Sequence, residues 1–138
     1  MTLEAGQDFI GNSCTVTYEA GETISPGDVV GIDGGQLRAV NSGDTSPNPV
    51  GVAGHGGGED GGEDYSSGEN VPVHVDGSGV IVSVASGISA GEELGPSSTD
   101  GQLGSGSAGY DALTDEGSVA GLSSNESVPS GHAVVSLD

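Results

Sequence analysis

Thr23-Ile24-Ser25-Pro26-Gly27-Asp28-Val29-Val30 decides how this chain is read, because the chain says it again as Gly87-Ile88-Ser89-Ala90-Gly91-Glu92-Glu93-Leu94. Both segments run from an apolar residue through Ser, a small residue or Pro, Gly and an acid to a further apolar position. Pro26 presets φ at the second residue of a β-turn, and Gly27 or Gly91 can supply the positive φ that follows. The stretch predicts a tight turn that delivers the chain into a strand. Ile24 and Ile88 are its inward anchors on one side, Val29 and Leu94 on the other.

Further matches follow in the same order. Asp33-Gly34-Gly35-Gln36-Leu37 is answered by Thr99-Asp100-Gly101-Gln102-Leu103, and Val50-Gly51-Val52-Ala53-Gly54 by Gly117-Ser118-Val119-Ala120-Gly121. Val71-Pro72-Val73-His74-Val75 is answered by Ala133-Val134-Val135-Ser136-Leu137. Chance similarity is easy in a Gly-, Ser- and Val-rich chain, but four matches in one order predict two copies of a single β-unit. Val71, Val73 and Val75 alternate, as do Val80, Val82 and Val84, around Asp76-Gly77-Ser78-Gly79, which is a hairpin signature. Val dominates the apolar set and no window has a helical period, so the fold class is all-β. The expected form is a compact β-barrel or β-clip-like body of two pseudo-repeated units with long Gly-, Ser- and acid-rich loops.

The boundaries read 1–12 for an N-terminal arm, 13–84 for the first unit and 85–138 for the second. The arm is expected to dock through Phe9, the only Phe, and to be separable from the body. Within the first unit, residues 54–68 read as an acidic Gly loop that faces solvent and buries nothing. Cys14, the only cysteine, excludes an intrachain disulfide and reads as a small buried residue. Pro72 cannot donate to a ladder and is expected at an edge or a bulge. Residues Ala108 to Asp115 read as a helical turn or a wide loop.

One basic residue, Arg38, faces 21 acids, for a net charge of −20. Such self-repulsion opposes compaction in ordinary salt. At molar salt the Debye length falls to roughly 3 Å and the repulsion is largely screened. The absence of Lys, the abundant acids and the small apolar side chains point to a halophilic source. Nucleic acid is excluded as a direct partner, since neutralising phosphates takes Lys and Arg. Residues 1–6 have neither basic residues nor an apolar run, so no secretory leader is expected, and no segment approaches membrane-spanning length.

Chemistry is thin. His55 with Glu59, Asp60, Glu63 and Asp64 is the one cluster resembling a metal site, and its hard oxygens would suit Ca²⁺ or Mg²⁺. Its spacing matches no ligand loop, so a solvated acidic loop is the preferred reading and no metal or cofactor is expected. His74 and His132 read as half-exposed sheet residues in near-equivalent places. No Ser sits in a nucleophile elbow and the Gly-rich runs lack the Lys of a phosphate loop, so no enzyme is expected.

The order of the turn with Ile-Ser-x-Gly-acid, the short strands, Val-Gly-Val-Ala, a hairpin and a terminal Val-rich strand resembles the small capsid decoration (cement) proteins of tailed viruses. The segments that carry it are Thr23 to Val30, Asp33 to Val40, Pro49 to Gly54 and Val71 to Val75. The resemblance implies a β-barrel or β-clip body on the outside of a virion, often a trimer, that clamps neighbouring major capsid subunits. Joined to the salt-adapted composition, it implies a virus of a halophilic archaeon and synthesis in the host cytoplasm. Leu3, Phe9 and Ile10 are more apolar than a free arm requires and are the expected contacts to the capsid or to another copy. The alternative is a surface-layer or carbohydrate-associated β-domain of a halophile. A third reading, an enzyme's accessory β-domain, would need a catalytic neighbour.

Far-UV circular dichroism across a salt series tests the charge argument. A cooperative β-spectrum is expected in molar KCl and its loss below a few tenths molar. Survival of that spectrum after dialysis into dilute buffer would remove the halophile reading.

Overall fold

The computed structural model describes residues 4–8, 14–43, 46–56, 63–77, 79–117 and 128–137. Its elements are β1 (Cys14–Glu19), β2 (Val29–Asp33), β3 (Gln36–Ala39), β4 (Pro49–Ala53), β5 (Asn70–Asp76), β6 (Val80–Ser83), β7 (Glu93–Pro96), β8 (Leu103–Ser105), β9 (Tyr110–Ala112) and β10 (His132–Ser136). They form two five-stranded antiparallel sheets, ordered β1-β5-β4-β2-β3 and β6-β10-β9-β7-β8. Adding five to each strand of the first order gives the second. The two units share one topology.

The turns that open β2 and β7 are built alike. The Asp28 N–H donates to the Ser25 carbonyl at 3.0 Å, and the Glu92 N–H to the Ser89 carbonyl at 3.1 Å. Each acid then turns its carboxylate back onto the Ser N–H, at 2.9 Å for Asp28 and 3.1 Å for Glu92. Gly27 and Gly91 both stand at φ +89°, the left-handed value a type II turn requires at its third residue. A carboxylate that accepts its own turn's N–H leaves that donor satisfied without a partner strand. The same cradle recurs at Ser66 to Glu69, and at Glu4 to Gln7 with an amide in place of the acid.

Pairing fixes the equivalences between the units. Val30 lies opposite Ala39 as Leu94 lies opposite Ser105, and Leu37 takes the place of Leu103. Asn70 pairs with Glu19 as His132 pairs with Ser83, which sets Val71 to Val75 over Ala133 to Leu137. The fourth strand departs from the sequence reading. Its place in the second unit belongs to Tyr110–Ala112, where a helical turn or loop is predicted, and Tyr110 and Ala112 turn inward while Asp111 is exposed. The matched segment Gly117 to Gly121 falls, beyond Gly117, outside the described residues.

Three further expectations are corrected. The alternating runs Val71 to Val75 and Val80 to Val84 are not a hairpin, because β5 and β6 belong to different sheets. The Gly77 carbonyl instead accepts the Leu137 N–H at 2.8 Å, and the second unit begins at β6 rather than after residue 84. The body is not a closed barrel. Each sheet curls until the residue after its first strand meets its last edge strand, by single parallel bridges at Ala20–Leu37 and Val84–Leu103. Pro72 lies in an interior strand, at a point where β4 has ended: its carbonyl accepts from Gly54, beyond the β4 ladder, so no donor is missed.

The first sheet is the middle layer. Val30 and Ala53 face its own core with Ala20, Ile24, Leu37, Tyr65, Val71 and Val73. Their neighbours Val29 and Val52 face the opposite way, into a second core with Val82, Leu94, Leu103 and Val135. Consecutive apolar residues in β2 and β4 are thus required by burial on both faces. A third small cluster, Ile81 with Val128 and Val134, covers the far side of the second sheet.

The arm is not separable from this body. Between Glu4 and Asp8 it straps the two sheets together. The Gly6 N–H donates to the Ile81 carbonyl at 2.8 Å, and the Ile81 N–H to the Gln7 carbonyl at 2.9 Å. On the other side the Gly6 carbonyl accepts from the His55 N–H at 3.1 Å and from the His74 ring at 2.9 Å. A Cβ on Gly6 would stand 2.7 Å from the Ala53 carbonyl oxygen, so the strap passes where only glycine fits.

Candidate functional site

The predicted site residues are not brought together. Leu3, Phe9 and Ile10 lie outside the described residues, as do Glu59 and Asp60. His55 places Nε2 2.8 Å from the Glu4 carboxylate, across the strap, while Glu63 and Asp64 are exposed. Among the described residues no group of three or more His, Cys, Asp or Glu could hold a metal ion. The loop 54–68 is also less free than predicted. Tyr65 is buried in the first core, bridges Ile24 and donates its hydroxyl to the Gly54 carbonyl at 2.6 Å. An aromatic ring flanked by a self-cradling turn has a face to bury, and the composition of the loop concealed it.

The two histidines also differ. His74 is buried and held on the strap; His132 is half-exposed, at the first position of β10, with Nδ1 3.0 Å from the Ser130 carbonyl. By register His74 corresponds to Ser136, so the histidines are not equivalent. Cys14, read as buried, is exposed on β1. Arg38 lies 3.5 Å from Glu22 and 3.7 Å from Asp33, both pairs at the surface and each contributing less than about 1 kcal/mol.

Two surface features remain, one electrostatic and one at a sheet edge. The twin acids of the anchor turns sit in opposite environments. Asp28 is pressed under the tip of the second unit's β7–β8 turn, where a Cβ on Gly101 would meet its carboxyl carbon at 2.7 Å. Burial drives its pKa up to about 7, against the lowering effect of the Ser25 N–H, and the charges of Asp64, Glu22 and Asp100 push the same way. Glu92 lies at the surface, where hydrogen bonds from the Ser105 hydroxyl and the Ser89 N–H hold its pKa below the ordinary value.

The edges of the two sheets are treated unequally. On β3, Leu37 and Ala39 are taken by the Gly21 N–H and the Glu22 carboxylate. On β6, Ile81 and Ser83 are taken by the strap and by Gly27. On β8, Leu103 accepts from Ala85. Along β1, no described strand lies beyond Cys14 to Tyr18, and residues 14–17 are exposed on both faces. Sequence reading placed a strand there and missed its exposure. The signal was present in the run Cys14-Thr15-Val16-Thr17-Tyr18, which has a single aliphatic side chain larger than Ala.

No helix among the described residues is long and apolar enough to cross a membrane. The chain matches no known protein family, and no curated protein is significantly similar to it.

Asp28 yields a prediction with a definite sign. Its folded pKa is raised from 3.8 to about 7, so its contribution is fully present below about pH 4 and is lost as pH rises to about 7. Asp28→Asn keeps the acceptor for Ser25 and removes the half-buried charge. Thermal melts at fixed high salt are expected to show this variant more stable by on the order of 2 kcal/mol at pH 8, with no gain at pH 4. A variant less stable than the parent at pH 8 would contradict the assignment.

Proposed function

We propose that this chain is a structural binder, a capsid decoration protein that sits on the outside of a virion shell and holds neighbouring major capsid subunits. The observation that carries the reading is how the described side chains are used. Carboxylates and amides that could form a site instead close turns, at Gln7, Asp28, Glu69 and Glu92, and seal an edge, at Glu22. What is left outward among the described residues is the surface of two packed β-units. A protein that works by contact area needs this and no reactive centre.

The charge supports the same reading. A shell from a salt-adapted virus would carry acids of its own, so contact has to be made through neutral strand surface while salt screens the rest. Modest contacts of this kind gain from repetition over a lattice of identical sites.

Quantitative mass spectrometry of density-purified virions from the source organism tests the proposal. The chain is expected in fixed proportion to the major capsid protein, and released by low salt before the shell opens. Recovery in the cell-envelope fraction, with none in virions, would overturn it in favour of the surface-layer alternative.

A further inference from the structure

The internal repeat makes the state of β1 informative, because the same strand exists twice. Its counterpart in the second unit is β6: Glu19 stands where Ser83 stands, and Thr17 where Ile81 stands. On β6, the outward backbone groups of Ile81 are both used by an added extended segment, the N–H by the Gln7 carbonyl and the C=O by the Gly6 N–H. On β1 the matching groups also face outward. The Pro72 carbonyl is directed at Gly54 on the β4 side, so Thr17, its pair partner, turns its N–H and C=O away from β5. By alternation Thr15 does the same. The first unit therefore offers the edge that its twin fills with residues 6–8.

Chemistry narrows what can fill it. Cys14 to Tyr18 carries no charge in a chain of net charge −20. The sole basic side chain, Arg38, already lies beside Glu22 and Asp33. A second copy of this chain has nothing cationic to offer that surface, and its own Cys14 to Tyr18 is a neutral, β-branched extended partner. Val16 is 42% exposed and Thr15 and Thr17 flank it, residues that favour cross-strand pairing.

We propose that two copies of this chain pair edge to edge through β1, antiparallel, about a two-fold axis at Val16. With the axis there, Thr15 of one copy faces Thr17 of the other and their outward backbone groups form the ladder. Val16 meets its own copy at a non-hydrogen-bonded position, and Cys14 lies opposite Tyr18. Glu19 falls outside the neutral run, and Ala20, whose neighbour is Leu37, stays clear of the contact. Two polyanions approach only when screened, so pairing strengthens as salt rises. The inference is independent of the decoration reading.

The test uses the full chain in molar KCl. Light scattering after size exclusion is expected to give twice the chain mass, and Val16→Glu, which sets two carboxylates against each other, to give the single mass with an unchanged circular dichroism spectrum. Cys14→Ser/Val16→Cys is expected to form a disulfide-linked dimer under mild oxidation, because a non-hydrogen-bonded pair holds its Cα atoms about 4.5 Å apart, within disulfide reach. Cys14→Ser alone is expected to form none. A wild-type monomer, an oligomer whose mass survives Val16→Glu, a trimer, or failure of the Val16→Cys variant to cross-link would each overturn the proposal. None of these outcomes bears on whether the chain is found in virions.

Discussion

Five consecutive residues, Ser25 to Val29, tie together most of this molecule. The Gly27 N–H donates to the Ala53 carbonyl, and the Gly27 carbonyl accepts from Ser83 in the other sheet. The Asp28 carbonyl accepts from Ala53, and the Val29 N–H donates to Gly101 at the tip of the second unit. One turn thereby touches β4, β6 and the β7–β8 connection at once. Its shape is set locally, by a glycine at φ +89° and a carboxylate folded back on its own Ser N–H. Local satisfaction of the turn leaves its remaining groups free to join the two units.

The twin turn at Ser89 to Glu92 shows what is intrinsic to the motif and what the assembly adds. Its hydrogen bonds match, yet Gly91 is exposed and its acid stays at the surface. The two hairpin tips are unequal in the same sense. A Cβ on Gly34 or Gly35 would meet nothing within 4 Å, whereas Gly101 is pressed onto Asp28. The repeat is symmetric in topology and asymmetric in burial. The first unit contributes β2 and β4 as a layer shared by two cores. That sharing, together with the strap at Gly6, makes the units one body, and it places a half-buried carboxyl at the seam of a chain already dominated by negative charge.

How much of this was legible in the sequence depends on what each signal encodes. Turn chemistry was legible, because Ser-x-Gly-acid dictates its own hydrogen bonds; the same pattern at Ser66-Ser67-Gly68-Glu69 stood open to the same reading. Register was legible for three of a unit's five strands, β2, β3 and β5, where apolar positions had to keep their side, while no match in the sequence set β1 over β6. The fourth failed because Tyr110-Asp111-Ala112 shares no residue type with Gly51-Val52 before Ala53. Gly51 is required by a contact its counterpart lacks: a Cβ there would lie 2.2 Å from the His74 carbonyl oxygen. Partnership was not legible. Alternating valines in β5 and β6 state that each is a strand and are silent on which strand lies beside it. That residues 6–8 cover β6 and not β1 was not legible either, although the apolar Val80-Ile81-Val82 set against the polar run of β1 marked which of the two strands is buried.

Native-state amide hydrogen exchange in high salt tests most directly whether the turn at Ser25 to Val29 makes the two units one cooperative body. The slowest amides of the first sheet, such as Val30 and Val73, and of the second, such as Val82 and Val135, are expected to exchange with one common free energy. The Ser83 and Val29 amides, which bond across the seam, belong in the same class. Two separate plateaus, with the second sheet opening while Val30 stays protected, would contradict the account.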